Sequence, residues 1–76
     1  MEAGLDSIHT GMRAVVMQVR GKPRLVNRFY RMGIKPGTVI YCRYRSPGGK
    51  VVALEFRDTV LALCTRDLKS VRIACP

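Results

Sequence analysis

The stretch Arg28-Phe29-Tyr30-Arg31-Met32-Gly33-Ile34-Lys35-Pro36-Gly37-Thr38 constrains the fold more than any other part of the sequence. Apolar Phe29 and Met32 stand three apart, and Gly33 follows them at the place where a left-handed glycine ends a helix. Pro36-Gly37 fits the two central positions of a type II turn, because proline presets φ and glycine accepts positive φ. A helix therefore stops here, the chain turns, and a strand begins. The elements on either side are fixed by this junction.

Upstream, Pro23 suits the first position of a helix over residues 23–32. Leu25, Phe29 and Met32 recur at i, i+4 and i+7 as its apolar stripe, and Arg24, Arg28 and Arg31 repeat that spacing one residue earlier. No acidic residue lies between Lys22 and Lys35, so this is the densest basic tract. Residues 12–19 form a β-branched run that reads as the first strand. Residues 1–10 read as a short turn around Leu5 and Ile8 that caps one end, with Asp6 or Ser7 free to bond the local backbone.

Downstream, residues 38–45 alternate: Ile40, Cys42 and Tyr44 share one face, and Val39, Tyr41, Arg43 and Arg45 the other. Ser46-Pro47-Gly48-Gly49 is a hairpin connection, and the strand over residues 50–56 returns with Val52, Leu54 and Phe56 inward. A turn at residues 57–59, a strand at 60–64 and a single helical turn at 65–68 follow, with Thr65 as its expected cap. Residues 69–75 close the chain with Val71 and Ile73 alternating. The expectation is a mainly β single domain spanning residues 1–76, with about five short strands bent into a small barrel and one short inserted α-helix.

Chemistry is sparse. His9 is the sole histidine, Asp58 and Asp67 sit in turns, and Gly48-Gly49 lacks the helix and the Lys-Ser/Thr pair of a phosphate loop. Cys42, Cys64 and Cys75 are odd in number, lack a C-x₂-C pair and fall in or beside apolar stretches, as reduced core-facing thiols do. No catalytic group, metal site or cofactor is expected. The apolar runs are too short to span a bilayer, so the expected chain is soluble.

What remains is a binding surface. Fourteen Lys and Arg against five Asp and Glu give a formal net charge of +9, which attracts nucleic acid, an anionic membrane or an acidic protein face. Arg24, Arg28 and Arg31 are expected to combine with Lys35, Arg43 and Arg45 into one basic face, with Tyr30 and Tyr41 adding contact area. A nucleic-acid-binding barrel is the alternative to an acidic protein partner. The absence of Trp weighs against base stacking.

The same residues carry a family resemblance. RFYRMGIKPGT at residues 28–38 resembles the RL-x-x-(L/M)-G-(I/L)-x-P-G-T signature of the FeoA family of ferrous iron transport proteins. Leu5, Ile8 and Gly11 resemble the family's opening L-x-x-L-x-x-G, and Ser46-Pro47-Gly48-Gly49 its hairpin. Leu61-Ala62-Leu63 and residues 71–74 resemble its last strands. The chain departs from the pattern in Phe29 for the usual Leu, in Cys64 for the usual Arg, and in Arg57-Asp58-Thr59 where a glycine is usual. The resemblance implies an SH3-like barrel with an inserted helix. It also implies a cytoplasmic, non-enzymatic regulator that docks on FeoB, the membrane ferrous iron transporter, as a monomer or weak homo-oligomer. Beginning at Met1, the chain is expected to be complete, without the winged-helix domain that precedes this barrel in metal-dependent repressors.

Overall fold

The computed structural model describes residues 2–75. Its elements are β1 (Glu2–Gly4), a 3₁₀ turn (Leu5–Ser7), β2 (Arg13–Val19), α1 (Pro23–Met32), β3 (Val39–Arg45), β4 (Val51–Phe56), β5 (Thr59–Cys64), a second 3₁₀ turn (Thr65–Leu68) and β6 (Val71–Ala74). The six strands form one antiparallel sheet in the order β1-β6-β2-β3-β4-β5.

Two expectations change here. Six strands are present because part of the N-terminal turn is a strand, with Glu2 opposite Ala74 and Gly4 opposite Arg72. The sheet also does not close into a barrel: β1 and β5 are its edges, and no ladder joins them among the described residues. Side chains cover the inner side of β5 instead. Leu25, Phe29 and Met32 of α1 gather around Leu63 of β5 and Leu68 of the second 3₁₀ turn. Gly21, just before α1, lies beside Ser70, and Gly33, just after it, lies beside Phe56 and Arg57, so the helix ends fall near the two ends of β5.

The helix stop and turn form as the spacing predicts. Gly33 caps α1 at φ 99° and ψ 4°, a conformation that a Cβ would strain. Ile34 N–H donates to the Phe29 carbonyl at 2.9 Å, and Thr38 N–H closes the Pro36-Gly37 turn on the Lys35 carbonyl at 3.0 Å. Thr38 Oγ1 donates to the Gly33 carbonyl at 2.9 Å, and Gly37 N–H donates to the Val16 carbonyl at 2.8 Å. The junction is thereby tied to both the helix and β2. Phe29 and Ile34 reach the core, where they join Val16, Ile40, Val52, Leu54, Phe56, Val71 and Ile73.

A bulge in β3 alters its second half. Cys42 faces Leu54, but Tyr44 faces Ala53, so Arg43 is an extra residue and the alternation changes phase. Tyr44, expected inward, is 53% exposed. Arg45, expected outward, stands opposite Val52, and its Nη1 donates to the carbonyls of Asp6 at 2.8 Å and Ile8 at 2.9 Å. Its backbone N–H donates to Thr10 Oγ1 at 3.0 Å. Arg45 thus staples β3 to the N-terminal turn. Replacing Arg45 with Met keeps the aliphatic stem and is expected to lose about 2 kcal/mol, or roughly 10 °C in thermal unfolding, from two charge-assisted bonds. An unchanged Tm would show that the staple carries no stability.

The β4–β5 connection is a two-residue loop in which Arg57 (φ 52°) and Asp58 (φ 62°) both adopt the left-handed region that a type I′ turn requires. Asp58→Gly is expected to raise stability by about 0.5–1 kcal/mol by removing that strain, less the entropy glycine adds to the unfolded chain. Chemical denaturation reads this as a higher midpoint. The 65–68 turn forms, but Thr65 does not cap it. Thr65 Oγ1 donates to the Gly49 carbonyl at 2.8 Å and so fastens the turn to the β3–β4 hairpin.

The thiols divide. Cys42 is buried, Cys75 is half-buried, and Cys64 is exposed, contrary to the expected core position, because it falls on the outward phase of β5. Burial pushes the Cys42 thiol up, against smaller opposing effects of its bond to the Tyr44 carbonyl and of nearby Arg45. Native alkylation is expected to modify Cys64 quickly and Cys42 only on unfolding. Because the folded state holds the Cys42 proton more tightly, stability falls once pH passes the ordinary thiol value and the unfolded thiol ionises. Equal alkylation rates at the two sites would contradict this placement.

Candidate functional site

The residues of the expected basic face, Arg45 excepted, fall into two clusters. The first is on α1. Burial of Leu25, Phe29 and Met32 on one side of the helix leaves Arg24, Arg28 and Arg31 exposed on the neighbouring flank. These three arginines, with Asn27 and Met32, line one shallow depression. Tyr30 is 45% exposed on the same helix. Among the described residues the one salt bridge is Arg43 to Glu55, so none of the three helix arginines has an acidic partner there. Three uncompensated cations on one helix flank have no evident folding role, because like charges at i, i+4 repel.

The second cluster is on the sheet. Arg13 of β2 stands opposite Tyr41 of β3, and Tyr41 stands opposite Glu55 of β4. The guanidinium carbons of Arg13 and Arg43 lie 5.9 Å and 6.0 Å from the centre of the Tyr41 ring, within cation–π range. Arg43 Nη1 bonds Glu55 Oε1 at 2.9 Å. These residues share a groove of about 430 Å³ with Val39, Arg57 and Asp58. Lys35 lines an adjoining groove that also includes Val39 and Arg57.

Arg45 belongs to neither cluster, since the β3 bulge commits its guanidinium to backbone carbonyls. Arg13, Val39 and Arg57 are the residues that sequence reasoning passed over. Arg13 joins Tyr41 only through strand register, which no local pattern states. Arg57 looked like an ordinary turn residue. Val39 did carry a signal, because it shares the outward phase of β3 with Tyr41 and Arg43.

Among the described residues, no group of three or more His, Cys, Asp or Glu is placed to hold a metal ion. His9 is exposed near the N-terminus, while Cys42 is sealed in the core. Both clusters are open and cationic, a shape suited to a surface partner and not to an enclosed small substrate.

A sequence model of the FeoA domain matches residues 4–75. No curated protein matches the chain in sequence. Among solved structures, a FeoA-like protein from Clostridium acetobutylicum is 24% identical with a TM-score of 0.88, over 97% of this chain and 86% of its own. The FeoA of Stenotrophomonas maltophilia, solved with zinc and described as an SH3 domain protein, is 21% identical with a TM-score of 0.80, over 93% of this chain and 88% of its own. A manganese-dependent transcriptional repressor has a TM-score of 0.88 at 12% identity, over 99% of this chain but 41% of its own. These structures share the fold, and in the repressor it is one part of a longer protein. The sequence match, which runs from the end of β1 through β6 and includes the helix stop at Gly33, fixes the family: this chain belongs to the FeoA family.

Proposed function

We propose that this protein is a cytoplasmic, non-catalytic regulator of ferrous iron uptake that docks on the cytosolic region of the FeoB transporter. Family membership supports the role. The observation that carries the surface is the row of exposed arginines Arg24, Arg28 and Arg31, without acidic partners among the described residues. Tyr30 beside them supplies amphipathic area, and Lys35, Tyr41 and Arg43 extend the contact around the junction. In this reading the bent sheet, with α1 along its β5 edge, is an SH3-like barrel left open at one seam.

No helix among the described residues is long and apolar enough to cross a membrane. In this reading contact with the membrane comes through FeoB itself, and the protein is a monomer or a weak homo-oligomer. The partner surface is acidic, since this chain carries a formal net charge of +9 and attraction at a protein surface is set by complementary charge.

Affinity capture of the purified cytosolic region of FeoB tests the proposal. Capture is expected at low salt and is expected to weaken as ionic strength rises and the Debye length shrinks. Failure to capture at low salt would overturn it. Preferential capture of a single-stranded oligonucleotide would favour the nucleic-acid alternative.

A further inference from the structure

The two grooves on the sheet meet at Val39 and Arg57 and form one trough. Val39, at the start of β3, is 52% exposed although the next residue, Ile40, is fully buried. It also lines a third, mainly apolar groove with Arg13, Val15 and Ala74. Val39 is thus a saddle between a cationic trough and an apolar one. Arg13 borders both.

The cations here are not equally committed. Arg43 is neutralised by Glu55 at 2.9 Å. Arg13, Lys35 and Arg57 form no salt bridge among the described residues, although Asp58 lies in the same trough. Arg13 instead rests near the Tyr41 ring, with its charge available. The outward residues Val39, Tyr41 and Arg43 run along β3 for about 13 Å, the reach of roughly four residues of extended chain.

We propose that this trough recognises an extended acidic segment of the partner. One apolar side chain of that segment seats against Val15, Val39 and Ala74, and flanking carboxylates face Arg13 and Arg57. The inference rests on the docking reading above and gives the sheet side of that contact its own recognition chemistry. Charge complementarity selects the occupant. A second copy of this chain has only five acidic residues and the same net charge of +9, so it is a poor counterpart. The exposed apolar saddle distinguishes the trough from the helix cluster and calls for an apolar residue among the carboxylates. A phosphate backbone cannot supply that residue.

The test uses the full chain and the purified cytosolic region of FeoB, with affinity read by calorimetry and folding checked by circular dichroism. Arg13→Glu and Arg57→Glu are each expected to weaken binding by about 10-fold, as reversing a charge opposite an acidic partner does. Val39→Thr keeps the β-branched shape and is expected to weaken it by a few-fold, on the order of one methyl contact. Overlapping peptides from the same FeoB region are then titrated while backbone amide resonances are followed. Acidic peptides containing an apolar residue are expected to shift residues 13, 39 and 57.

Wild-type affinity in all three variants would overturn the trough while leaving the docking proposal intact. Absence of wild-type binding would overturn both. Binding by the folded region with no active peptide would overturn the extended segment. Loss of binding to vesicles of phosphatidylserine and phosphatidylcholine in the same variants, with FeoB binding unchanged, would reassign the trough to an anionic membrane surface and overturn the proposal.

Discussion

Replacing Phe29 with alanine is expected to cost about 3–5 kcal/mol and to lower the Tm by roughly 20 °C. A folded domain of this length holds roughly 4–11 kcal/mol in total, so the variant sits close to unfolding. The reason lies in how α1 is held. It spans Pro23–Met32, has no side-chain cap at its start and has no acidic residue in its first turn. A helix this short is marginal alone, so its stability comes from packing.

Phe29 is the one helix residue buried in the core, and its carbonyl also receives the Ile34 N–H just past the stop at Gly33. Removing the ring opens a cavity beneath the helix and uncovers the inner side of β5 at Leu63. Phe29→Leu keeps most of the volume and is expected to cost about 1 kcal/mol, in line with cavity size. A loss below 1 kcal/mol for Phe29→Ala would show that α1 does not seal the sheet.

Much of the fold could be read from local chemistry. The bounds of α1, the left-handed Gly33, the Pro36-Gly37 turn and the inward set Val52, Leu54 and Phe56 follow from spacing and from what glycine and proline permit. Features set by distant pairing were not legible. The bulge at Arg43 depends on β3 meeting β4 out of step, and it reversed the facing of Tyr44 and Arg45. Strand β1 is three residues long and exists only because β6 offers an edge to pair with. The open seam reflects the choice of helix packing over a ladder on β5, which alternation in β5 does not encode.

The candidate surface divides in the same way. Arg24, Arg28 and Arg31 share a helical period and were visible at once. Arg13 meets Tyr41 through register alone, so its place in the sheet cluster was hidden.

Reversing Arg24, Arg28 and Arg31 to Glu together is expected to weaken binding to the cytosolic region of FeoB on the order of 100-fold, the combined effect of three charge reversals at one contact. The change lowers the formal net charge from +9 by six units. Folding is expected to shift by less than about 0.5 kcal/mol, as for most exposed positions. All three side chains are exposed and form no salt bridge among the described residues. The electrostatic effects on the helix also oppose each other, because a new carboxylate at residue 24 lies near the favourable N-terminus and one at residue 31 near the unfavourable C-terminus.

Calorimetric titration of the FeoB cytosolic region with the wild-type protein and with this triple variant, at one salt concentration, tests the central claim most directly. The account predicts saturable wild-type binding and near-complete loss in a variant whose Tm is unchanged. Equal affinity for the two proteins, or no wild-type binding at all, would contradict it.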